Sequence, residues 1–317
     1  MTKPNAFSLI ELSIVILIIG ILIAGITAAS SKVRESKLNI AKSLTQSSDV
    51  SSIPGLSLWL EPTMAESFPA ADAADGATIT KWKDINPQIS SSLTATAQTG
   101  TIASPVDLPT DSTPAIPQIT YKLDGINGIP TASFNVNTTL SNTTKRFTLS
   151  NIPMTNNSST TFIVYQSLSS GSESTLIGNT NFSSNQGWEY GKTSTNVRYI
   201  NFASSSGQSG FNGEPINTTP QIDTITISSS SSGSVIVYTN GVNNMPSGIN
   251  NIVVGAPINF NISTGFYIGN YGNSSSSFFS AWKGYISEVI IYDRVLESDD
   301  RKSVEAYLGK KYGIKVR

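Results

Sequence analysis

Any chemistry in this chain has to proceed without imidazole or thiolate, because its 317 residues include no His and no Cys. Those two absences remove thiolate and imidazole metal sites, disulfides, Cys nucleophiles and every Ser–His arrangement. Oxygen donors for a calcium ion exist but are scattered: Asp84 with Asn86, and Asp124 with Asn127. Calcium takes about six to eight oxygens, and no contiguous loop gathers them, so Asp84 and Asp124 stand as isolated candidates. Ca2+ is therefore a candidate cofactor and none is required. The neighbouring Asp-Gly and Asn-Gly pairs also read simply as turns. Trp188, in Asn185-Gln186-Gly187-Trp188-Glu189-Tyr190, is the candidate platform for stacking a sugar, whereas Trp59, Trp82 and Trp282 fall in strand-like segments and are expected in a core. One carboxylate, Glu11, stands at the mouth of a long apolar run, where an ionisable group is costly and calls for a role.

The element that must position Glu11 is a helix. Leu12 to Ala29 carries no charge and is long enough to cross the ~30 Å hydrocarbon core of a bilayer. Ser30 to Thr45 continues with Val33, Leu38, Ile40, Ala41 and Leu44 at roughly helical spacing, among Lys32, Arg34, Glu35, Lys37 and Lys42. No Pro occurs between Pro4 and Pro54, so one continuous helix is expected from Phe7 to about Ser48, with residues 49–55 as a linker. From Leu56 onward, short runs rich in Val, Ile, Thr, Phe and Tyr are separated by Gly, Asn, Ser and Pro, the pattern of a sandwich or barrel. They include Leu56–Leu60, Thr160–Leu168, Val197–Phe202, Ile222–Ile227, Ser234–Thr239 and Gly284–Tyr292, while 90–120 shows little pattern. Asn240-Gly241 is a hairpin signal, since both residues tolerate positive φ. A final helix is predicted with Ser298 as cap, Asp299 and Asp300 in its first turn, and Lys310 and Lys311 in its last. Val304, Leu308 and Tyr312 would share its buried face.

Charged residues are 13 % of the chain, against about a quarter in ordinary globular domains. The net charge is −1, and Ser, Thr and Asn replace the missing charge. Such a surface has little attraction for phosphate backbones, so nucleic acid is not an expected partner.

The N-terminus resembles the prepilins of type IV pili and of type II secretion pseudopili. The residues that carry the resemblance are a short leader, MTKPNA, then Phe7 as first mature residue, Ser8-Leu9-Ile10, and Glu11. The family's usual residue before the cut is Gly, and Ala6 departs from it, which would slow processing. The resemblance covers about residues 1–48. It implies cleavage between Ala6 and Phe7 by a prepilin peptidase, N-methylation of Phe7, a single pass through the inner membrane, and later packing with other pilin subunits. A carboxylate among close-packed apolar helices costs several kcal/mol unless it is paired. The natural partner is the Phe7 α-amine of a neighbouring subunit, which exists only after cleavage, so Glu11 is the expected assembly residue.

The remainder resembles bacterial laminin-G-like, concanavalin A-like lectin/glucanase domains. The matching islands run from Leu58-Trp59-Leu60-Glu61 and Trp82-Lys83-Asp84, through Val237-Tyr238-Thr239-Asn240-Gly241, to Trp282–Arg294 and Val304–Leu308 with Lys311–Ile314. The resemblance implies a jelly roll of two antiparallel sheets over 56–317, whose relatives bind glycans or proteins. Glucanase relatives set two acids on one strand face as Glu-x-Asp-x-x-Glu. Glu297-Ser298-Asp299-Asp300-Arg301-Lys302 lacks the last acid and lies at a helix start, so no catalytic residue is assigned and the protein is not expected to be an enzyme.

Together these readings give a mainly β chain on a long N-terminal helix: leader 1–6, pilin helix 7–48 with transmembrane part 12–29, linker 49–55 and head 56–317. The expected function is that of a minor pilin-like subunit displaying a lectin-like adhesion head on an extracellular pilus. The alternative is a periplasmic pseudopilin whose head meets cargo or secretin; an anchored glycan hydrolase is disfavoured. The head from residue 54 is expected to fold alone as a soluble monomer.

Overall fold

The computed structural model describes residues 9–101, 104–107, 119–134, 143–150, 152–154, 158–169, 173–180, 187–204, 207–228, 233–245, 252–254, 265–270 and 282–317. Ala6 and Phe7 lie outside them. With no Pro to interrupt i→i−4 bonding, the N-terminal region forms a single helix, α1 (Leu9–Gln46), roughly 57 Å long at 1.5 Å per residue. Ser13, Thr27 and Ser30 donate their hydroxyl protons to the carbonyls of Leu9, Ile23 and Ile26 at 2.7, 2.9 and 2.9 Å. These hydroxyls are thus satisfied within the helix.

The strands that follow are β1 (Leu56–Leu60), β2 (Lys81–Lys83), β3 (Thr94–Thr101), β4 (Ser104–Asp107), β5 (Thr120–Ile126) and β6 (Ile129–Ser133). Next come β7 (Thr143–Leu149), β8 (Ser159–Ser167), β9 (Ser174–Gly178), β10 (Trp188–Lys192), β11 (Val197–Ser204) and β12 (Gly207–Pro215). Then β13 (Gln221–Ser228), β14 (Gly233–Thr239), β15 (Val242–Asn243), β16 (Ile252–Val254), β17 (Phe266–Ile268), β18 (Gly284–Tyr292) and helix α2 (Ser298–Tyr312) complete the described elements. They build two antiparallel sheets. The first runs β15-β14-β13-β8-β18-β6-β5, with β1 beside β18 and β16 beside β14; the second runs β12-β11-β10-β9-β17-β7-β3-β2, with β4 beside β3.

The molecule has three layers: second sheet, first sheet, helices. Leu58, Trp82, Phe147, Ile163, Tyr165 and Ile225 fill the space between the sheets. On the other side of the first sheet, Phe162, Val164, Ile290 and Tyr292 pack with Ala41 of α1 and with Val304, Leu308 and Tyr312 of α2. Being covered on both faces, β8 and β18 carry consecutive apolar residues, Phe162 to Tyr165 and Val289 to Tyr292, instead of alternating ones. A bulge in β18 between Ile286 and Glu288 shifts the phase of the strand. It keeps Ile286, Val289 and Ile291 in the inter-sheet core and turns Glu288 toward the helices.

Several expectations are corrected by packing. Ser298 is the first helical residue of α2; Glu297 is the cap and makes no side-chain cap bond. Lys310 and Lys311 do lie in the last turn of α2, and Lys311 is buried there. The amphipathic part of α1 presents Ala41 and Thr45 to the head, whereas Val33 and Ile40 are exposed. The segment 49–55 is packed: Val50 and Ile53 are buried, the Tyr292 hydroxyl donates to the Val50 carbonyl at 2.9 Å, and Arg294 Nε donates to that of Pro54 at 2.9 Å. A head cut at residue 54 would therefore lose part of its own core. Inside the stretch 90–120, β3 pairs between β2 and β7 and buries Ala95 and Ala97 fully in the inter-sheet core. Asn127-Gly128 and Asn240-Gly241 both adopt positive φ at hairpin turns, at 52° and 85° and at 50° and 83°.

Candidate functional site

Glu11 lies on the first turn of α1 and is exposed, amid an exposed apolar stretch from Leu9 to Ile26. An 18-residue window in this helix has a mean hydropathy of 2.9 and none of it is buried within the chain.

In the head, the sequence candidates separate. Trp188 is 1 % exposed, its ring meeting Phe266 edge-on at 6.2 Å, so it offers no face to a sugar. Trp59, Trp82 and Trp282 are buried as expected. Asp84 is buried, and its Oδ1 accepts from the backbone N–H of Trp59 at 2.8 Å and of Asn86 at 3.0 Å, which ties β1 to the loop after β2. Burial raises its carboxyl above the ordinary range. Asp124 instead stands exposed on β5, next to Gly128 and Lys37 of α1. Asn86 donates to Leu56 O and Asn127 to Tyr312 O, both at 2.7 Å, so each amide is spent on the scaffold. Among the described residues no group of three or more acidic side chains could hold a metal ion. Asp300 of the acidic stretch at α2 pairs with Arg294 at 3.2 Å.

Sequence reasoning missed the buried charges. Lys311 Nζ donates to Glu61, to Glu288 Oε2 at 2.7 Å and to Thr45 Oγ1 at 2.9 Å. Glu288 also accepts from Trp59 Nε1 and the Tyr307 hydroxyl at 2.8 Å and from the Tyr312 hydroxyl at 2.9 Å. This cluster joins α1, α2, β1 and β18. A second cluster ties the two sheets together: Asp223 of β13 accepts from Arg198 of β11 at 3.1 Å and from the hydroxyls of Tyr165 and Tyr190 at 2.5 Å. Lys311 faces two carboxylates and Arg198 faces one, and each charged group has an opposite partner within its cluster, so both read as scaffold.

Glu189 is different in kind, a buried acid that forms no salt bridge among the described residues. Its carboxylate accepts from Asn201 Nδ2 at 2.9 Å and Thr180 Oγ1 at 3.1 Å, and burial pushes it up to about 7. The folded state therefore holds this proton more tightly than the unfolded chain, where Glu titrates near about 4.3. Its contribution is most favourable below the unfolded value and is lost as pH rises through about 7. Glu189→Gln is expected to melt close to wild type near about pH 4 and to be the more stable by about 3 kcal/mol near about pH 8. Parallel melting curves at both pH values would overturn that assignment.

A family model described as the prokaryotic N-terminal methylation motif matches residues 1–27. No curated protein sequence matches the chain. Among solved structures, one of botulinum neurotoxin type C, described as interacting with two ganglioside molecules, is similar at 12 % identity over 82 % of this chain and 52 % of that chain, with a TM-score of 0.50. The binding domain of botulinum neurotoxin serotype D/C follows at 13 % over 80 % and 52 %, TM-score 0.47. Domain 4 of the arabinanase AbnA from Geobacillus stearothermophilus, in complex with arabinotriose, matches at 15 % over 77 % and 95 %, TM-score 0.46. This chain spans about half the length of the toxin structures it matches. At such identities the likeness is one of fold. The chain thus carries a prokaryotic N-terminal methylation motif over residues 1–27, ahead of a β-sandwich of lectin-like fold.

Proposed function

We propose that the protein is a minor subunit of a type IV pilus-like filament, and that its sandwich is a recognition head without enzymatic activity. The observation that carries this reading is the methylation motif at the start of a helix whose apolar residues from Leu9 to Ile26 are exposed, while its other end is built into the head. Exposed Leu and Ile around a helix call for lipid before assembly and for other pilin helices afterwards. Ala6 and Phe7 flank the peptidase cut, Phe7 is the methylated residue, and Glu11 receives the Phe7 amine of a neighbour. The bulk of the head suits sparse, tip-proximal placement better than dense tiling along a shaft. That a similar sandwich is described as interacting with gangliosides supports a glycan as ligand. A type II secretion pseudopilin would use the same helix, and deletion distinguishes the two readings by loss of surface filaments or of exoprotein secretion.

The test is processing and assembly together. Intact mass from cells with the prepilin peptidase should fall by residues 1–6 and gain one methyl, relative to cells without it. Glu11→Gln should remain in the membrane fraction and drop roughly tenfold or more in sheared filaments, as the loss of a desolvated ion pair implies. An assembled subunit still beginning at Met1, or normal incorporation of the variant, would sink the proposal.

A further inference from the structure

One end of the sandwich, where β18 begins, gathers positive charge, and Glu173, the acid just before Ser174, forms no salt bridge with it. Lys145 of β7 is 3 % exposed, Lys192 of β10 is 0 % exposed, and Lys283, just before β18, is partly exposed. Backbone bonds hold this end together: Leu168 N donates to Lys283 O at 3.0 Å and Phe134 N to Gly284 O at 2.8 Å. Lys145 Nζ donates to the Phe134 carbonyl at 3.2 Å. Lys192 Nζ donates to the Ser169 carbonyl and to Asn196 Oδ1 at 3.1 Å, and lies 5.9 Å from the Trp282 ring centre. All these acceptors are neutral.

Three other buried cations are neutralised by carboxylates: Lys311 by Glu61 and Glu288, Arg198 by Asp223, and Arg301 by Glu305. Here no carboxylate forms a salt bridge with any of the three lysines among the described residues. Burial, with the Lys283 charge added, holds the Lys145 ammonium down at about 8 and lowers that of Lys192. A buried like-charge group of this kind is costly unless an anion compensates it.

A second observation points the same way. The indole Nε1 of Trp282 and the hydroxyls of Ser169 and Ser174 are buried with no hydrogen-bond partner. All three belong to this end: Ser174 is the register partner of Lys192, Ser169 binds the Lys192 ammonium through its carbonyl, and Trp282 precedes Lys283. Ammonium and indole groups can only donate, and a hydroxyl can do so, so what the cluster lacks is an acceptor. We propose that this end of the sandwich is an oxyanion site, which takes the carboxylate or sulfate group of an acidic glycan. The glycan part rests on the recognition reading above; the affinity for an oxyanion does not.

The experiment titrates the detergent-solubilised full chain with inorganic sulfate, with glucuronate and with a sulfated disaccharide, following tryptophan emission and the melting midpoint. Saturable binding with a rise in midpoint is expected, because a ligand that binds only the folded state stabilises it. Lys283→Gln should weaken binding about tenfold, which is about 1.4 kcal/mol, and Lys192→Met should abolish it. Should Lys192→Met fail to fold, the partly exposed Lys283 carries the test. Lys122→Gln, a lysine paired with Asp75, should bind as wild type does. No saturable response to any probe, or an unchanged response in Lys283→Gln, would overturn the site. Sulfate binding without acidic-sugar binding supports the site and removes the glycan as its source. Surface binding that ignores sulfate and Lys283→Gln would leave the recognition reading standing and overturn this one.

Discussion

Lys311→Met is expected to cost about 3–5 kcal/mol of folding stability, the usual penalty for breaking a buried ion pair from one side. The ammonium is enclosed between Glu61 and Glu288, all three side chains being 0 % exposed, so its removal leaves two carboxylates facing each other away from water. Burial already raises the Glu288 carboxyl, which marks its charged form as the one under strain. Adding Glu288→Gln to Lys311→Met should recover part of the loss, since it removes one of the two uncompensated charges. Urea or thermal unfolding of the detergent-solubilised chain reads both effects. Because Lys311 also donates to Thr45 at 2.9 Å, the single variant should loosen α1 from the head and speed proteolysis around Gln46 to Ser48. A loss below about 1 kcal/mol would mean the cluster is a surface-like pair in energetic terms, against its burial.

A chain beginning at Ser30 should fold into a stable soluble head, whereas one beginning at Pro54 should melt on the order of 10 °C lower. The shorter chain loses Val50 and Ile53, which are 0 % and 5 % exposed, and their burial is worth about 3–6 kcal/mol together. It also loses Ala41 and the Thr45 hydroxyl, which packs against Tyr307 at 3.1 Å. Exposed Phe162, Ile290 and Tyr292 on the first sheet would then invite association, visible by size-exclusion chromatography. Equal melting of the two chains would show that 30–53 is a tether and not part of the core. For a filament subunit the difference matters, because pulling on α1 would pull directly on the first sheet through this joint.

The order of residue types along the first 46 positions was enough to identify the methylation motif and one unbroken helix. A Pro-free apolar run folds by local helix geometry, and the motif is a pattern of consecutive residues, so neither requires the rest of the fold. The sandwich class was equally readable, and β1 and β18 fall at the expected bounds, because short β-branched runs between turn formers constrain the backbone locally. The Asn-Gly turns were readable for the same reason.

The buried charges were not. Glu61 and Lys311 are 250 residues apart in sequence, and Glu288 reaches the same ammonium only because a bulge in β18 turns it toward the helices. Likewise Lys145 and Lys192 lie on separate strands, with Lys283 just before a third, and the first two look like ordinary surface lysines until the sheets close over them. Trp188, readable as an exposed platform from its Gly-Trp-Glu-Tyr context, became core because β10 pairs between β9 and β11 in the middle of the second sheet. Local propensity sets which backbone a segment adopts. Burial and charge pairing depend on which distant segments cover it, and only the packed three-layer structure decides that.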